Sequence, residues 1–163
     1  MKELQEYEGG LPVTHRQATA NDATRLAELL WDHVEEYTPL DPSDRAAYVS
    51  ACSEHIRGRL GVDLHCWITE DDGFIVAHIY IIVTRKLPKP GKPCAVWGRL
   101  STVRTLPGRR NQGIGGALLE RVTAWGREQG LEELVVWPSE RSVPFYERAG
   151  FKGENDVMEM LFE

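Results

Sequence analysis

The chain has 163 residues, of which 42% are hydrophobic and 27% charged, and its formal net charge at pH 7 is −6. This length and balance indicate one ordinary folded domain and exclude a fibrous or disordered chain. The acidic charge argues against a protein that follows nucleic-acid phosphates. No apolar run reaches the roughly 18 residues of a membrane span, so we expect no membrane partner.

The first part of the chain predicts an arm, a strand and a helix. Residues 1–12 are polar and indicate a flexible N-terminal arm ahead of a single domain at residues 13–163. The arm lacks the basic and apolar blocks of a secretory signal, so we expect a cytoplasmic protein. Residues 13–18 alternate like a strand. The following helix opens at Asn21-Asp22, ends before Pro39, and has an apolar face of Leu26, Leu29, Leu30 and Val34.

A second helix and a hairpin come next. The helix is predicted to start near residues 42–44 and to stop at Gly61, with Tyr48, Val49, Cys52, Ile56 and Leu60 facing inward. Residues 64–70 and 74–85 are predicted as strands, because the Asp-Gly step at Asp72-Gly73 is a strong hairpin signal. A proline-rich loop then leads to a predicted strand at residues 94–106.

The last third of the chain predicts two helices and two strands. A helix with Ile114, Leu118, Val122 and Trp125 on one face follows the strand at 94–106 and ends at Gly130. Residues 133–137 are predicted as a strand. Residues 143–149 are predicted as a short helix, in which Pro144 must occupy the first turn and Ser142 is the expected N-cap. Residues 157–162 are the last predicted strand.

The stretch between the strand at 94–106 and the next helix is the most informative part of the sequence. These residues, 107–118, read PGRRNQGIGGAL and are called the anion loop below. A helix N-terminus offers unpaired N–H groups and a positive dipole end, and glycines let an anion approach the backbone. Arg109 and Arg110 add charge that suits a pyrophosphate. A flexible strand-to-helix turn is the simpler alternative.

Two familiar phosphate loops do not fit these residues. Gly108 and Gly113 have the spacing of a P-loop, but Ile114-Gly115 stand where Lys and Ser or Thr are required. Gly113 and Gly115 fit the start of a dinucleotide fingerprint, but Leu118 replaces its third glycine and the motif lies late in the chain. Nucleotide hydrolysis and dinucleotide binding are therefore disfavoured.

The order Arg110-Asn111-Gln112-Gly113-Ile114-Gly115 resembles the Gln/Arg-x-x-Gly-x-Gly/Ala signature of the GCN5-related N-acetyltransferase (GNAT) family. Residues 145–151, FYERAGF, resemble that family's later Leu-Tyr-Glu-Lys-x-Gly-Phe motif. Two separated motifs in the family's order are much more specific than either motif alone. The resemblance covers residues 94–151 well and extends to residues 13–30.

The resemblance implies an α+β fold of three layers, α/β/α. It implies a mixed, mostly antiparallel sheet of about six or seven strands with about four helices. The strands at 94–106 and 133–137 are expected to splay, so that the pantetheine arm of acetyl-CoA, or of another acyl-CoA, inserts like an extra strand. The cofactor contacts implied are Val103, Arg104, Thr105, Arg109, Arg110, Asn111, Gln112, Gly113, Ile114, Gly115, Gly116, Ser139 and Tyr146.

The activity implied is transfer of an acetyl group from CoA to a primary amine of a small metabolite. Tyr146 matches the family's tyrosine general acid, and an N–H near Val103 would stabilise the developing oxyanion. A protein amine as acceptor and a non-catalytic acyl-CoA-binding module are the alternatives. Family habit also suggests a homodimer.

The general base and the role of Arg99 stay open. Residues 94–106 contain no carboxylate, so the candidate bases are His78, a water chain and the helix-end carboxylates Asp32, Glu35 and Glu36. Arg99 would favour an acceptor that carries a carboxylate if it faces the acceptor groove, and would be a plain surface charge otherwise.

No metal is predicted. Cys52, Cys66 and Cys94 are widely spaced and form no Cys-x-x-Cys pair. The five histidines show no ligand spacing with these cysteines.

Overall fold

The computed structural model describes residues 13–91, 94–153 and 160. Its strands are β1 (Thr14–Gln17), β2 (Leu64–Asp71), β3 (Phe74–Arg85), β4 (Val96–Thr105) and β5 (Glu133–Val135). Its helices are α1 (Ala23–Glu35), α2 (Arg45–Arg59), α3 (Ile114–Glu128) and α4 (Val143–Arg148). Within these residues, no helix is long and apolar enough to cross a membrane.

One mixed sheet organises the chain. The strands lie in sequence order, with β1 to β4 antiparallel and β4 parallel to β5. The described residues form five strands, so the predicted six or seven are not found there. The predicted last strand at 157–162 lies outside the described residues, apart from Met160, which is not in a strand. The predicted strand at 133–137 is shorter, because pairing with β4 ends at Val135.

Two hydrophobic clusters, one on each face of the sheet, account for the three layers. On one face, Leu118, Leu119 and Val122 of α3 pack against strand residues that include Ile79 and Ile81. This face is called the α3 face. On the other, the α1–α2 face, Leu26 and Leu29 of α1 and Ile56 of α2 cover strand residues that include Ile68 and Tyr80. Helices on both faces explain why β3 is a nearly continuous apolar run.

Local signals place the first helix and the hairpin. Asp72 and Gly73 both have positive φ, 50° and 79°, as a two-residue hairpin turn requires. Before α1, the Arg16 guanidinium donates to both oxygens of Asp22 and both oxygens of Glu70. The Asp22 carboxylate also accepts from the N–H of Thr19, which fixes the chain entering the helix.

Two side chains that were predicted to face inward are exposed. Val34 is 44% exposed, because it lies near the end of α1, and Tyr48 is 36% exposed although its ring packs on Trp31. Ser142 is the N-cap of α4, as predicted, but its hydroxyl makes no capping hydrogen bond and donates instead to the Ser139 carbonyl in a 3-10 turn that precedes α4. Pro144 does occupy the first turn of α4.

The strands β4 and β5 separate soon after they meet. Only Trp97, Gly98 and Arg99 pair with β5, at Glu133, Leu134 and Val135. Beyond Arg99, β4 continues for six residues with no β5 partner in the described part of the chain. The gap between the two strands beyond Arg99 and Val135 is called the fork below. It corresponds to the predicted splay.

A β-bulge in β4 lies at the start of the fork. Ile79 pairs with Val103 and Ile81 with Leu100, so β4 has one more residue than β3 across this interval. The bulge reverses the alternation of side chains. Leu100, before the bulge, and Val103, after it, both face α3. Arg104 is therefore turned toward the α1–α2 face. The bulge therefore decides which β4 side chains line each face of the fork.

Candidate functional site

The anion loop joins the free end of β4 to the N-terminus of α3. After a 3-10 turn at Pro107–Arg109, Asn111 and Gly113 adopt positive φ of 61° and 78°. In the described part of the chain, no backbone carbonyl accepts from the N–H groups of residues 111–113. The first bond of the helix runs from the Ala117 N–H to the Gly113 carbonyl at 3.0 Å. The N–H groups of residues 111–116 are thus available to an anion.

Gly115 sets how closely α3 approaches β4. A Cβ at this position would lie 3.2 Å from Oγ1 of Thr105 and 3.6 Å from the ring of Phe145. Gly115 therefore brings the helix N-terminus against the end of β4 and the start of α4. The two halves of the resemblance, the anion loop and the motif at 145–151, meet at this contact.

Both arginines of the anion loop are held by carboxylates. Arg109 pairs with Asp71 of the β2–β3 hairpin at 2.6 Å. Arg110 donates to Oε2 of Glu36 at 3.0 Å and, through Nε, to the Thr105 carbonyl at 3.0 Å. Their charges are therefore partly neutralised, whereas the N–H groups of residues 111–113 have no backbone carbonyl partner in the described part of the chain.

Glu36 lies at the centre of a second contact, with the buried Arg104. Arg104 donates to Oε1 of Glu36 and to the carbonyl of Leu29 in α1, and its side chain is only 4% exposed. Burial opposes ionisation of Glu36, but the hydrogen bonds from Arg104 and Arg110 outweigh it and lower the pKa of its carboxyl. The carboxylate thus ties α1 to both β4 and the anion loop.

The other helix-end carboxylates do not reach the loop. Glu35, the residue selected from the sequence as a candidate base, is exposed, and Asp32 pairs with Arg45 of α2 at 2.8 Å. A helix places successive side chains about 100° apart, so only one of Glu35 and Glu36 can face β4.

His78 lies in the interior. It is 1% exposed, pairs across the strands with Arg104, and its buried Nε2 has no hydrogen-bond partner among the residues that the structure describes. Burial, followed by the nearby charge of Arg104, lowers the pKa of His78 to about 3. An imidazole that resists protonation this strongly is poorly suited to accept a proton from an amine at neutral pH.

The backbone of β4 offers its groups to the fork at alternate residues. The Leu106 N–H donates to the Val76 carbonyl, so Leu106 and, by alternation, Arg104 face β3. Val103 and Thr105 then point their N–H and C=O groups toward the fork. The predicted backbone contact of Arg104 with pantetheine is therefore inconsistent with this register, whereas Val103 and Thr105 stay candidates.

Tyr146 and Ser139 follow β5 in the chain, Tyr146 in α4 and Ser139 at the start of the 3-10 turn before it. Tyr146 is 7% exposed, packs between Phe145 and Phe151 with ring centroids 5.0 and 5.5 Å away, and its pKa is raised by burial. Ser139 is exposed, and its hydroxyl lies 3.1 Å from that of Ser142. Tyr146 also lines a cavity of about 230 Å³ beside β5 and α4.

Arg99 faces the α1–α2 side. It pairs with Ile82, whose side chain packs on the α1–α2 cluster, and its guanidinium lies 5.4 Å from the ring centroid of Trp137. The sequence could not place Arg99, because both faces of β4 are covered. Trp137 and Asp71 were not selected from the sequence as site residues, and their places at a strand end and a hairpin turn gave only a weak signal.

Comparisons with known proteins identify the family. The family model for the acetyltransferase (GNAT) family matches residues 25–151. The sequence is 26% identical over 140 residues to the glucosamine 6-phosphate N-acetyltransferase of Trypanosoma brucei brucei. These 140 residues cover 86% of this chain and 89% of the relative.

Solved structures agree on the fold. An acetyltransferase from Clostridium acetobutylicum, solved with acetyl-CoA, superposes with a TM-score of 0.73 at 19% identity, covering 92% of this chain and 96% of that one. The glucosamine-6-phosphate N-acetyltransferase from Arabidopsis thaliana gives a TM-score of 0.70 at 18% identity, covering 94% and 100%.

The forked sheet and the glycine-rich loop at a helix N-terminus are thus those of an acetyltransferase. The chain belongs to the acetyltransferase (GNAT) family, and it is an N-acetyltransferase.

Proposed function

We propose that the protein transfers the acetyl group of acetyl-CoA to a primary amine of a small metabolite. One observation carries the proposal: in the described part of the chain, the edge of β4 beyond Arg99 has no β5 partner, and a single 3-10 turn connects it to the unpaired N–H groups of the anion loop. Acetyl-CoA carries a pyrophosphate joined to an extended arm that contains amides. The pyrophosphate would match the N–H groups of the anion loop, and the arm would match the edge of β4.

The chain has the groups that acetyl-CoA needs. The N–H groups of residues 111–116 would hold the pyrophosphate, and Gly113 and Gly116, where a Cβ would meet no described atom within 4 Å, leave that space free of side chains. The backbone groups of Val103 and Thr105 would pair with the amides of the arm. Arg110 now donates to the Thr105 carbonyl, so it would have to release that oxygen to the arm. Bound there, acetyl-CoA supplies the activated thioester.

Tyr146 is the proposed general acid. As the amine nitrogen bonds to the acetyl carbon and the carbon–sulfur bond breaks, the Tyr146 hydroxyl donates its proton to the departing thiolate. The Val103 N–H donates to the acetyl oxygen as that atom gains negative charge. Burial raises the pKa of Tyr146, so the phenol keeps its proton across the physiological range.

The base is best assigned to solvent. His78 is buried with a pKa lowered to about 3, Glu36 is engaged by two arginines, and Glu35 is exposed. Proton loss from the acceptor to water, or the fraction of amine that is already neutral, requires none of these side chains.

A small acceptor is supported by a relative's activity. The Trypanosoma brucei brucei relative is named for a phosphorylated amino sugar, a small amine. A protein amine as acceptor is the competing outcome. The homodimer suggested by family habit is also a proposal, which light scattering would test.

The test is CoA thiol release from acetyl-CoA across a panel of small amines and lysine-containing peptides. We expect release that depends on a small amine and a Tyr146→Phe kcat that is lower by about 10²-fold or more. The KM for acetyl-CoA should change little. Tyr48→Phe, in α2, is the matched control.

The pH dependence separates catalysis from packing. Because the pKa of Tyr146 is raised, loss of activity through its ionisation should occur only above its ordinary value, and Tyr146→Phe should lack that alkaline limb. A Tyr146→Phe enzyme with the wild-type kcat would remove the tyrosine from the mechanism. Turnover of peptides alone would replace the small metabolite by a protein acceptor.

A further inference from the structure

Arg99 carries a charge that the acetyl-CoA site does not use. We propose that Arg99, held over Trp137, recognises an anionic group, a carboxylate or a phosphate, on the acceptor amine. This inference rests on the proposed function, since it assigns the substrate class of that same site.

The position of Arg99 puts it beside the reacting end of the fork. Arg99 is the last β4 residue that pairs with β5, opposite Val135. An arm that starts at the anion loop and follows β4 toward its N-terminus reaches the closed end of the fork at Arg99. The thioester, at the tip of the arm, would therefore lie close to this residue.

The contact between Arg99 and Trp137 spans the fork on the α1–α2 face. Leu134 contacts the position of a Gly98 Cβ on the α3 face, so Val135 and Trp137 face the opposite way by alternation. Trp137 is two residues beyond the last β5 pair and is 51% exposed. The pair is thus an accessible cationic surface above the closed end of the fork.

Arg99 differs from the other arginines around the fork in how its charge is paired. Arg104, Arg109 and Arg110 each pair with a carboxylate. Among the described residues, no carboxylate pairs with Arg99, and its guanidinium lies over the ring of Trp137 instead. A half-buried guanidinium that has no carboxylate partner within the described ranges can attract an anion without first breaking an ion pair there.

Stacking prepares the guanidinium for this role. A guanidinium that lies over an aromatic ring keeps its edge N–H donors free while its plane is held. Those donors match the two oxygens of a carboxylate or phosphate. An amine that carries such a group would be anchored at Arg99 with its nitrogen free to reach the thioester.

The experiment compares amines that differ only in the anionic group: glucosamine 6-phosphate with glucosamine, and serine with serinamide. The kcat/KM for acetylation and the binding affinity by calorimetry, with CoA present, are measured for the wild type, Arg99→Gln and Arg99→Lys. Arg121→Gln, which removes an exposed charge from α3, is the matched control.

We expect the wild type to bind and acetylate at least one anionic partner about tenfold or more better than its neutral counterpart. Arg99→Gln should abolish this preference by losing affinity for the anionic amine only, Arg99→Lys should retain part of it, and the KM for acetyl-CoA should not change. The two amine pairs distinguish phosphate from carboxylate.

Two results would overturn the inference: equal binding of charged and neutral partners by the wild type, or a preference that survives in Arg99→Gln. Binding without turnover, if lost in Arg99→Gln, would support anion recognition while refuting the proposed transfer to these amines.

Discussion

Glu36 shows how one carboxylate can connect two parts of a site. Its oxygens accept from Arg104 in β4 and Arg110 in the anion loop, and its side chain is 23% exposed. Arg104 is almost fully buried, so its charge depends on this partner and on the Leu29 carbonyl. The end of α1, the fork and the anion loop are therefore mechanically coupled through a single side chain.

Replacing Glu36 by Gln should destabilise the protein. The change keeps the size and leaves a buried guanidinium without its counter-ion, so we expect the free energy of unfolding to fall by about 3 kcal/mol. Urea denaturation measures this loss of stability, provided that the m-value is the same in the variant and the wild type. Asp32→Asn removes a carboxylate from the same helix, whose partner Arg45 has a side chain 43% exposed, and should cost much less than Glu36→Gln because solvent screens the pair. Equal losses in both variants would contradict the role given to Glu36.

At the scale of elements, the junction of β4 and β5 determines the geometry of the fork. Gly98 lies where the strands still pair, and a Cβ there would be 2.7 Å from Leu134 and 3.1 Å from both Ile81 and Leu131. The missing side chain lets β5 approach β4 before the bulge and the fork begin. In residues 13–91 and 94–153, three pairs join β5 to the sheet, so this approach matters.

Gly98→Ala should therefore loosen the junction. Overpacking at this site should lower the free energy of unfolding by about 1–3 kcal/mol and raise the KM for acetyl-CoA. Gly58→Ala is the matched control, because nothing lies within 4 Å of that position in α2 and alanine favours a helix. We expect Gly58→Ala to be stabilising by about 0.5–1 kcal/mol. A Gly98→Ala protein as stable as the wild type would show that β5 can shift without loss.

At the scale of the whole molecule, folding buries the side chain of His78 in the interior, where the imidazole stays neutral. Burial lowers the pKa of His78 from 6.5 to about 3. Between these values the unfolded chain binds a proton that the folded chain does not. The stability contributed by the neutral imidazole is thus complete above about pH 7 and is lost as the pH falls toward 3.

His78→Gln should flatten this pH dependence. We expect the free energy of unfolding of the wild type to fall by about 2 kcal/mol between pH 7.5 and pH 5 through His78 alone. The variant should lose that part of the slope, whatever its absolute stability. Chemical denaturation over this range measures the difference, with the exposed His55→Gln as control. An unchanged slope in His78→Gln would mean that His78 takes up a proton in the folded state.

The sequence predicted much of the fold because its signals are local. Helix faces such as Leu26 and Leu29, the hairpin at Asp72-Gly73 and the glycines of the anion loop are determined by neighbouring residues and by backbone angles. The two motifs at 110–115 and 145–151 further predicted the family. The pairing limits of β5 could not be predicted this way, since they depend on contacts between strands distant in the chain.

Taken by itself, the sequence determined the class of enzyme and supported a proposal for the donor end of its site, because glycine spacing and helix starts act over a few residues. The tertiary structure alone decided which charges meet there. The bulge in β4 directs Arg104 to Glu36, the hairpin brings Asp71 to Arg109, and the divergence of β4 and β5 places Arg99 over Trp137. Strand register and long-range packing set these contacts, and neither can be predicted from local sequence patterns.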